Sequence, residues 1–309
     1  MNACLRAVVR AALYYDLEPL AIHQGYRGMI SGAIEPMNRR SVSNIIQQGG
    51  TILKSARSQE FMTPEGRARA ARQLRNHQID ALVAIGGDGT FTGAVKFAEE
   101  TGIPIIGVPA TIDNDLYGTD YCIGYDTATN TAIDAIDKIR DTASSHNRLF
   151  FVEVMGRYAG FIALKAGIGA GAEAILVPER ETSFEDLIGV LEQGASTNKS
   201  SSLVVVAEGG REGRTFEIAR EVERRFSYYN TRVTILGHLQ RGGRPSCHDR
   251  IVASQLGVGA VEALLQGRRG QMVGYVNARL AYTPLPEAIE KRPEHNEDEL
   301  LRIAHILSI

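Results

Sequence analysis

The sequence contains few cysteines and no long apolar run. Its three cysteines, Cys4, Cys122 and Cys247, are far apart and odd in number, which suits reduced thiols in a reducing compartment. They form no zinc-site spacing with histidines, and no stretch approaches the ~18–20 apolar residues of a membrane span. The amino terminus also lacks the long apolar core of a signal peptide. We therefore expect a cytoplasmic protein with no membrane partner.

A strong excess of charge of either sign is also missing. The formal net charge of -2 gives no global electrostatic reason for nucleic acid to bind, so any anion site must come from a local cluster. Hydrophobic residues make up 44% of the chain and charged residues 23%, which argues against disorder. The length of 309 residues exceeds the roughly 100–200 residues of one domain, so two lobes are expected.

Short apolar runs alternate with longer amphipathic segments, the pattern of a mainly parallel sheet with helices on both faces. The predicted strands are Pro19–His23, Ala81–Ile85, Ile103–Val108, Leu149–Val154, Ala174–Val177, Leu203–Ala207, Arg232–Ile235 and Met272–Tyr275. A helical pattern begins at residue 1, and further helices are predicted at Val42–Gln47, Glu65–His77, Phe91–Glu100, Thr127–Thr142, Phe184–Glu192, Phe216–Ser227 and Asp249–Leu265. So many strands predict two sheets, with a first break near Gly124. Since no linker is visible, we expect an α/β protein whose two three-layer lobes are interleaved along the chain.

The first candidate site follows the strand Ala81–Ile85 and reads Gly86-Gly87-Asp88-Gly89-Thr90. Glycines at a helix N-terminus let a phosphate chain approach free backbone N–H groups. Asp88 could hold Mg²⁺, which usually takes one or two carboxylates plus phosphate oxygens. The alternative is that Asp88 only caps the helix and the glycines only form a tight turn. The string resembles the nucleotide loop shared by phosphofructokinases, NAD kinases and diacylglycerol-type lipid kinases.

The second candidate site is the segment Pro109-Ala110-Thr111-Ile112-Asp113-Asn114-Asp115, again at the carboxyl end of a predicted strand. One carboxylate can accept the proton of an attacking hydroxyl while the other orients groups, and such general-base catalysis gives roughly 10²–10⁴ in rate. The alternative is a loop that is simply rich in Asp and Asn. The string resembles the catalytic segment of phosphofructokinases.

Three further stretches extend this resemblance in the family's order: Ser55–Arg57, Val152–Gly160 and Leu236–Gly243. Nearly the whole chain is thus similar to bacterial ATP-dependent 6-phosphofructokinases. The resemblance implies a homotetramer of Rossmann-like two-lobed subunits that transfers the γ-phosphoryl group of ATP to the 1-hydroxyl of fructose 6-phosphate. The ATP-binding lobe is expected to comprise residues 1–124 and 237–287. The fructose 6-phosphate lobe is expected to comprise residues 125–236 and 288–309.

The resemblance also implies roles for individual residues. Asp113 matches the catalytic base, and Thr111 matches a neighbour that helps to position the substrate and the transferring phosphoryl group. Arg157 matches a catalytic residue within a substrate-contacting turn, and Arg57 matches an ATP contact that reaches the transferring group. ATP contacts are implied for Arg57, Ser58, Gly87, Asp88, Gly89 and Thr90, with Asp88 as the Mg²⁺ carboxylate. Substrate contacts are implied for Thr111, Ile112, Asp113, Met155, Gly156, Arg157, Glu208, His238, Leu239, Gln240 and Arg241. Arg148 and Arg232 resemble arginines that reach the 6-phosphate from the neighbouring subunit.

A second group resembles the site for ADP or phosphoenolpyruvate in regulated family members. It comprises Arg6, Arg10, Arg39, Arg140, Gly171, Glu173 and Lys199, with Glu173 matching a carboxylate that helps to hold Mg²⁺-ADP. Arg6 and Arg10 are four residues apart, so both lie on one helix face and can meet one phosphate. The alternative is that they only solvate a helix. Thr197 stands where the family pattern has a basic residue.

The choice of phosphoryl donor can be argued from two positions. Pyrophosphate-dependent relatives usually have Asp in place of Gly89 and Lys in place of Ala110. An Asp side chain at position 89 would add bulk and negative charge near the nucleotide, whereas glycine leaves room. The sequence therefore favours ATP, with a pyrophosphate-dependent phosphofructokinase as the alternative.

The start of the chain departs from the family pattern, which opens with a strand and a Gly-Gly-Asp-x-Pro-Gly turn beside the ATP phosphates. A Met-Asn pair follows that turn in the family, and this chain starts at Met1-Asn2. We expect the reading frame upstream of Met1 to encode the strand and the turn. A protein that truly lacked them would be a catalytically weak, effector-binding subunit.

Overall fold

The computed structural model describes residues 1–142, 148–180, 182–196, 201–209, 213–293 and 297–307. The chain divides into two compact units, each assembled from three segments. The first unit comprises Met1–Thr111, Asp115–Gly124 and Arg244–Glu294. The second comprises Ile112–Asn114, Tyr125–Gly243 and His295–Ile309. That ATP binds to one lobe and fructose 6-phosphate to the other stays a prediction.

Eleven helices and ten strands are seen in the described residues. The helices are α1 (Asn2–Tyr14), α2 (Tyr26–Ser31), α3 (Pro64–Asn76), α4 (Asp88–Thr101), α5 (Tyr125–Asp141), α6 (Phe161–Gly169), α7 (Phe184–Ser196), α8 (Arg214–Arg225), α9 (Cys247–Leu265), α10 (Leu285–Glu290) and α11 (Glu297–Leu307). The strands are β1 (Leu20–Ile22), β2 (Ile34–Pro36), β3 (Leu82–Gly86), β4 (Ile105–Pro109), β5 (Arg148–Val154), β6 (Ala174–Leu176), β7 (Ser201–Ala207), β8 (Asn230–Ile235), β9 (Gln271–Val276) and β10 (Arg279–Pro284). Short 3₁₀ helices cover Glu60–Met62 and Gly237–Arg241. Within the described residues, no helix combines the length and apolar character needed to cross a membrane.

The first unit is built around a sheet of order β10-β9-β4-β3, in which only β10 runs antiparallel to its neighbour. Successive side chains of a strand point to opposite faces. Leu82 and Ile105 therefore pack on one face with residues of α3, α4 and α10. Val83 and Ile106 pack on the other face with α1 and α9. The unit thus has three layers, with an apolar core on each side of the sheet.

The second unit is built around an all-parallel sheet of order β6-β7-β5-β8. Phe151 and Val204 lie on one face, in a buried cluster with residues of α7 and α8. On the other face α6 approaches closely, since a Cβ on its Gly167 would lie 2.6 Å from the side chain of Ile175. Parallel strands that are buried on both faces read as continuous apolar runs, which explains why these strands were predicted from sequence.

All eight predicted strands and six of the seven predicted helices are confirmed, as is the helical pattern at the start. Pro19–His23 contains β1, which pairs antiparallel with β2 in a separate two-stranded sheet. The helix predicted at Val42–Gln47 is wrong. The backbone N–H of Ser43 bonds the carbonyl three residues back, on Arg40, and Asn44 has a φ of +54°. A left-handed residue in this turn prevents a regular helix from continuing.

Candidate active site

The glycine-rich loop of the first unit lies where β3 passes into α4. Gly86 ends β3, and a Cβ on it would lie 2.3 Å from the Thr90 hydroxyl, so no larger residue fits there. A Cβ on Gly87 would lie 3.4 Å from Thr111, whereas a Cβ on Gly89 would meet nothing within 4 Å. Gly87, the N-cap of α4, and Thr111 are therefore neighbours, and the space beside Gly89 is open.

Asp88 occupies the first turn of α4 and is exposed. Its Oδ1 accepts a hydrogen bond from the backbone N–H of Gly89, with an N···O distance of 2.6 Å. The partial positive charge of a helix N-terminus favours a carboxylate or a phosphate at this place. No cluster of three or more metal-ligating side chains occurs in the described parts of the chain. An exposed carboxylate can share a divalent cation with phosphate oxygens, so the position of Asp88 is compatible with the metal role expected from the sequence, which stays a prediction.

A series of side-chain contacts connects the loop that carries Arg57 and Ser58 to the glycine-rich loop. The Ser58 hydroxyl accepts from the backbone N–H of Phe61 at 3.2 Å. The ring of Phe61 stacks on the ring of Tyr26, with 3.9 Å between centroids. The Tyr26 hydroxyl donates to the carbonyl of Thr90, and burial raises the pKa of this hydroxyl, so it stays a donor. Arg57, the residue before Ser58, is exposed. No motif in the sequence singles out Tyr26.

The second unit holds a turn at residues 155–160, directly after β5. Gly156 has a φ of +146°, and a Cβ on it would lie 2.3 Å from the carbonyl oxygen of Ala159. Arg157 has a φ of +55°, which is uncommon outside glycine. Its backbone N–H donates to Oε1 of Glu208 at 2.6 Å. The turn thus adopts a strained backbone that side chains from elsewhere must hold.

Glu208 and the 3₁₀ helix Gly237–Arg241 complete this region of the second unit. Glu208 follows β7, and the 3₁₀ helix follows β8, so both lie at the carboxyl edge of the sheet, as the turn does. Gln240 is buried, and its Oε1 accepts from the backbone N–H of Met155 at 2.8 Å. His238, Leu239 and Arg241 of the same 3₁₀ helix are exposed. The structure therefore brings together most of the predicted substrate residues of this unit.

Asp113 lies in the three-residue segment Ile112–Asn114, which groups with the second unit, while Thr111 and Asp115 group with the first. Asp113 is half-buried. The next residue, Asn114, is buried and has a φ of +54°. A left-handed, buried Asn fixes the direction of the chain immediately after Asp113.

Arg148 and Arg232 lie elsewhere in the second unit. Arg148 is the first residue of β5, and Arg232 pairs with Phe150 near the amino end of the same sheet. Arg148 donates to the carbonyl of Thr142 at 2.8 Å. Val154 lies six residue steps beyond Arg148, about 20 Å at the usual rise, and four steps beyond Phe150, the partner of Arg232, which is about 13 Å. The structure therefore does not bring these two arginines to the 155–160 turn of their own chain.

The predicted effector residues fall into separate groups. Arg6 and Arg10 share α1, and Arg39 is exposed on the turn that follows β2. Arg140 donates to the carbonyls of Ala170 and Gly171 at 2.5 and 3.0 Å. Glu173 is buried and accepts from the backbone N–H of Leu203. Lys199, like Thr197, lies outside the described residues.

Comparison with known proteins gives one consistent result. The profile of the family described as Phosphofructokinase matches residues 1–264. The chain is 54% identical over 309 residues to ATP-dependent 6-phosphofructokinase 1 of Thermus thermophilus, covering 100% of this chain and 95% of that one. It is 53% identical over 308 residues to the ATP-dependent 6-phosphofructokinase of Cytophaga hutchinsonii, covering 100% of this chain and 94% of that protein.

Solved structures agree with this result. The phosphofructokinase of Pichia pastoris in the T-state matches all of this chain with a TM-score of 0.87 and 32% identity. This chain spans 38% of that one. A pyrophosphate-dependent phosphofructokinase from Marinobacter aquaeolei matches all of this chain and 88% of its own, with a TM-score of 0.83. At 24% identity, that second likeness shows a shared fold alone.

Proposed function

Because this chain belongs to the phosphofructokinase family, we propose that it performs ATP-dependent phosphoryl transfer with Asp113 as the base and Asp88 as the metal carboxylate. The reaction moves the γ-phosphoryl group of ATP to the 1-hydroxyl of fructose 6-phosphate and gives fructose 1,6-bisphosphate and ADP. The relatives at 54% and 53% identity are named as ATP-dependent, whereas the pyrophosphate-dependent neighbour is 24% identical. The open space at Gly89 supports the same donor.

Proton transfer is assigned to Asp113. As the 1-hydroxyl oxygen bonds to the γ-phosphorus and the bond to the bridging oxygen of ADP breaks, the Asp113 carboxylate accepts the hydroxyl proton. Phosphoryl transfer needs mainly positioning and charge stabilisation from the protein. Thr111 and the guanidinium groups of Arg57 and Arg157 supply these, since arginine donates paired hydrogen bonds to phosphate oxygens.

The nucleotide phosphates are assigned to the loop from Gly87 to Thr90. Its glycines allow a close approach, and α4 directs its positive end at the loop. Asp88 would hold Mg²⁺ together with phosphate oxygens, and the cation would neutralise charge that develops on the transferring group. The contacts from Ser58 through Phe61 and Tyr26 to Thr90 support a fixed position for this loop.

Fructose 6-phosphate is assigned to the 155–160 turn, Glu208 and the 3₁₀ helix that carries His238 and Arg241. A carboxylate and an imidazole can bind sugar hydroxyls, and arginine can bind the 6-phosphate. Arg148 and Arg232, which lie about 20 Å and about 13 Å along the sheet from the end of β5, are assigned to the site of a neighbouring copy. That assignment requires a homo-oligomer, and we propose the tetramer of the family.

A regulatory site is assigned to Arg6, Arg10, Arg39, Arg140 and Lys199, with Gly171 and Glu173. ADP and phosphoenolpyruvate, both multiply charged anions, are the proposed effectors. The exposed position of Arg10 on α1, one turn after Arg6, supports a phosphate contact. We place the protein in the cytoplasm, since its three cysteines are far apart and odd in number, which suits reduced thiols.

One experiment tests the donor, the acceptor and the metal together. Purified protein is incubated with fructose 6-phosphate and Mg²⁺, with either ATP or pyrophosphate, and fructose 1,6-bisphosphate is measured directly. We expect product with ATP, loss of product with a chelator, and recovery when Mg²⁺ is restored. Equal or faster turnover with pyrophosphate would overturn the donor assignment, and no product with either donor would overturn the proposed function.

A further inference from the structure

Glu179 makes a contact in the second unit that no sequence motif predicts. Its Oε1 accepts a hydrogen bond from the backbone N–H of Gly160, with an N···O distance of 2.7 Å. Gly160 closes the 155–160 turn and is also the N-cap residue of α6. Glu179 belongs to the short loop after β6, which an isolated bridge between Val177 and Arg180 holds together. The contact therefore joins two loops at the carboxyl edge of the sheet.

The two sides of this contact fit each other closely. A Cβ on Gly160 would lie 2.5 Å from Oε2 of Glu179 and 2.6 Å from the Cβ of Val177. Only glycine at position 160 therefore lets the carboxylate reach the backbone. Gly160, the N-cap residue of α6, has no side chain that could cap the helix. The Glu179 carboxylate therefore supplies the negative charge that the N-terminus of α6 favours.

Three side chains from three other segments hold backbone N–H groups of the same turn. Gln240 accepts from Met155, Glu208 accepts from Arg157, and Glu179 accepts from Gly160. The donors lie at the start, the middle and the end of the turn. Since Gly156 and Arg157 adopt φ values above zero, the backbone depends on such contacts to keep its shape.

We propose that Glu179 is a positioning residue that fixes the 155–160 turn for fructose 6-phosphate binding, an inference that rests on the proposed function. Gln240 and Glu208 belong to segments already assigned to the sugar phosphate. Glu179 acts only through the Gly160 backbone, and its removal frees the end of the turn next to Arg157 and α6. The expected defect is therefore in fructose 6-phosphate affinity and not in ATP affinity.

The test uses three substitutions that separate the effect of side-chain length at position 179 from the effect of its charge. Glu179→Ala removes the acceptor, Glu179→Asp keeps the charge but shortens the side chain, and Glu179→Gln keeps a carbonyl acceptor of the same length without the charge. Glu192→Ala, an exposed glutamate on α7, is the matched control. The Michaelis constants for fructose 6-phosphate and for ATP, kcat and thermal unfolding are measured for each full-length protein.

Loss of a hydrogen bond to a charged acceptor predicts a roughly tenfold or larger rise in the fructose 6-phosphate KM of Glu179→Ala and Glu179→Asp. Glu179→Gln keeps the acceptor and loses only the charge at the helix N-terminus, so its fructose 6-phosphate KM should rise by about twofold to fivefold. Glu192→Ala should match the wild type, and the ATP KM should be unchanged throughout. If Glu179→Ala does not fold, the proposal is tested by whether the fructose 6-phosphate KM rises more in Glu179→Asp than in Glu179→Gln. A Gln variant as defective as the Asp variant, or equal rises in both Michaelis constants, would refute the positioning role. An inactive wild type would instead refute the proposed function.

Discussion

The backbone N–H of Gly89 donates to the carboxylate of Asp88, with 2.6 Å between the nitrogen and Oδ1. The two residues are the first two of α4, and both are exposed. A Cβ on Gly89 would meet no atom within 4 Å. Position 89 can therefore accept a side chain without a clash, and the effect of a charge there can be separated from an effect on folding.

Gly89→Asp should weaken ATP use because it places a second carboxylate beside Asp88 and the proposed phosphate site. A repulsion of about 1–3 kcal/mol between like charges corresponds to a rise in the ATP KM of roughly fivefold to 150-fold. Gly89→Ala, which adds bulk but no charge, is the control and should change the KM by less than about threefold. Steady-state kinetics with ATP as the varied substrate measure both. An Ala variant as defective as the Asp variant would show that bulk, not charge, matters here.

Asp113→Ser should remove the proposed base while leaving the buried, left-handed Asn114 beside it in place. We expect kcat to fall by roughly 10²–10⁴, because proton abstraction matters in the transition state. The fructose 6-phosphate KM should change far less. The rate of fructose 1,6-bisphosphate formation at saturating ATP gives kcat. Thermal unfolding of the variant checks that it is folded. A variant within a few-fold of the wild type would remove Asp113 from the role of base.

Much of the fold could be predicted because the central strands are buried on both faces. Strands such as β4 and β5 read as continuous apolar runs, and their carboxyl ends coincide with the motifs. Strand β10 was not predicted, because an edge strand with half-exposed side chains lacks that pattern. Helix α6 was missed because it is short, apolar and glycine-containing, so it shows no polar face.

The site could be predicted where one motif supplies both position and chemistry, as at Gly86–Thr90. A site residue could not be predicted where its hydrogen-bond partner is far away along the chain. Gln240 holds Met155 across 85 residues, and the Tyr26 hydroxyl reaches Thr90 across 64. Such contacts depend on which strands become neighbours in the sheet, and a single sequence does not state that order. Glu179 is only 19 residues from Gly160, but their contact likewise depends on where β5 and β6 lie in the sheet.

Arg10→Ala should reduce the response to effectors without changing maximal velocity. Arg10 is exposed on α1, and loss of one phosphate contact should shrink the coupling free energy between the two sites. We expect a shift of roughly fivefold to tenfold in the concentration of ADP or phosphoenolpyruvate that gives half the effect. Arg72→Ala, an exposed arginine on α3, is the control. Titration of each effector at subsaturating fructose 6-phosphate measures the shift, and identical titrations would show that Arg10 only solvates the helix.

The three cysteines should differ sharply in reactivity. Cys4 and Cys122 are buried, whereas Cys247 is exposed. Burial raises the pKa of the Cys4 thiol to about 12, so at pH 8 only about one molecule in 10⁴ carries the reactive thiolate. A chromogenic disulfide reagent should therefore label one thiol quickly in the native protein and three in the unfolded one. Cys247→Ser should abolish the fast phase, and a fast phase that survives would contradict this assignment.

Gly257 allows α1 and α9 to pack closely in the first unit. A Cβ on this residue would lie 2.7 Å from the Cβ of Ala7 and 2.9 Å from the carbonyl oxygen of Cys4. Backbone cannot move aside as a flexible side chain can, so Gly257→Ala must push the two helices apart. Overpacking of this kind costs about 1–3 kcal/mol, which exceeds the gain of roughly 0.5–1 kcal/mol from replacing glycine in a helix.

Gly189→Ala is the matched comparison, since Gly189 is an exposed residue within α7 and a Cβ there meets nothing within 4 Å. Helix propensity alone then applies, and the change should stabilise the protein by about 0.5–1 kcal/mol. The two Gly→Ala changes are therefore predicted to shift the urea midpoint of unfolding in opposite directions. Circular dichroism during urea titration measures both shifts. A Gly257→Ala protein at least as stable as the wild type would mean that α1 can relax away from α9 at no cost, contrary to the close contact at Cys4.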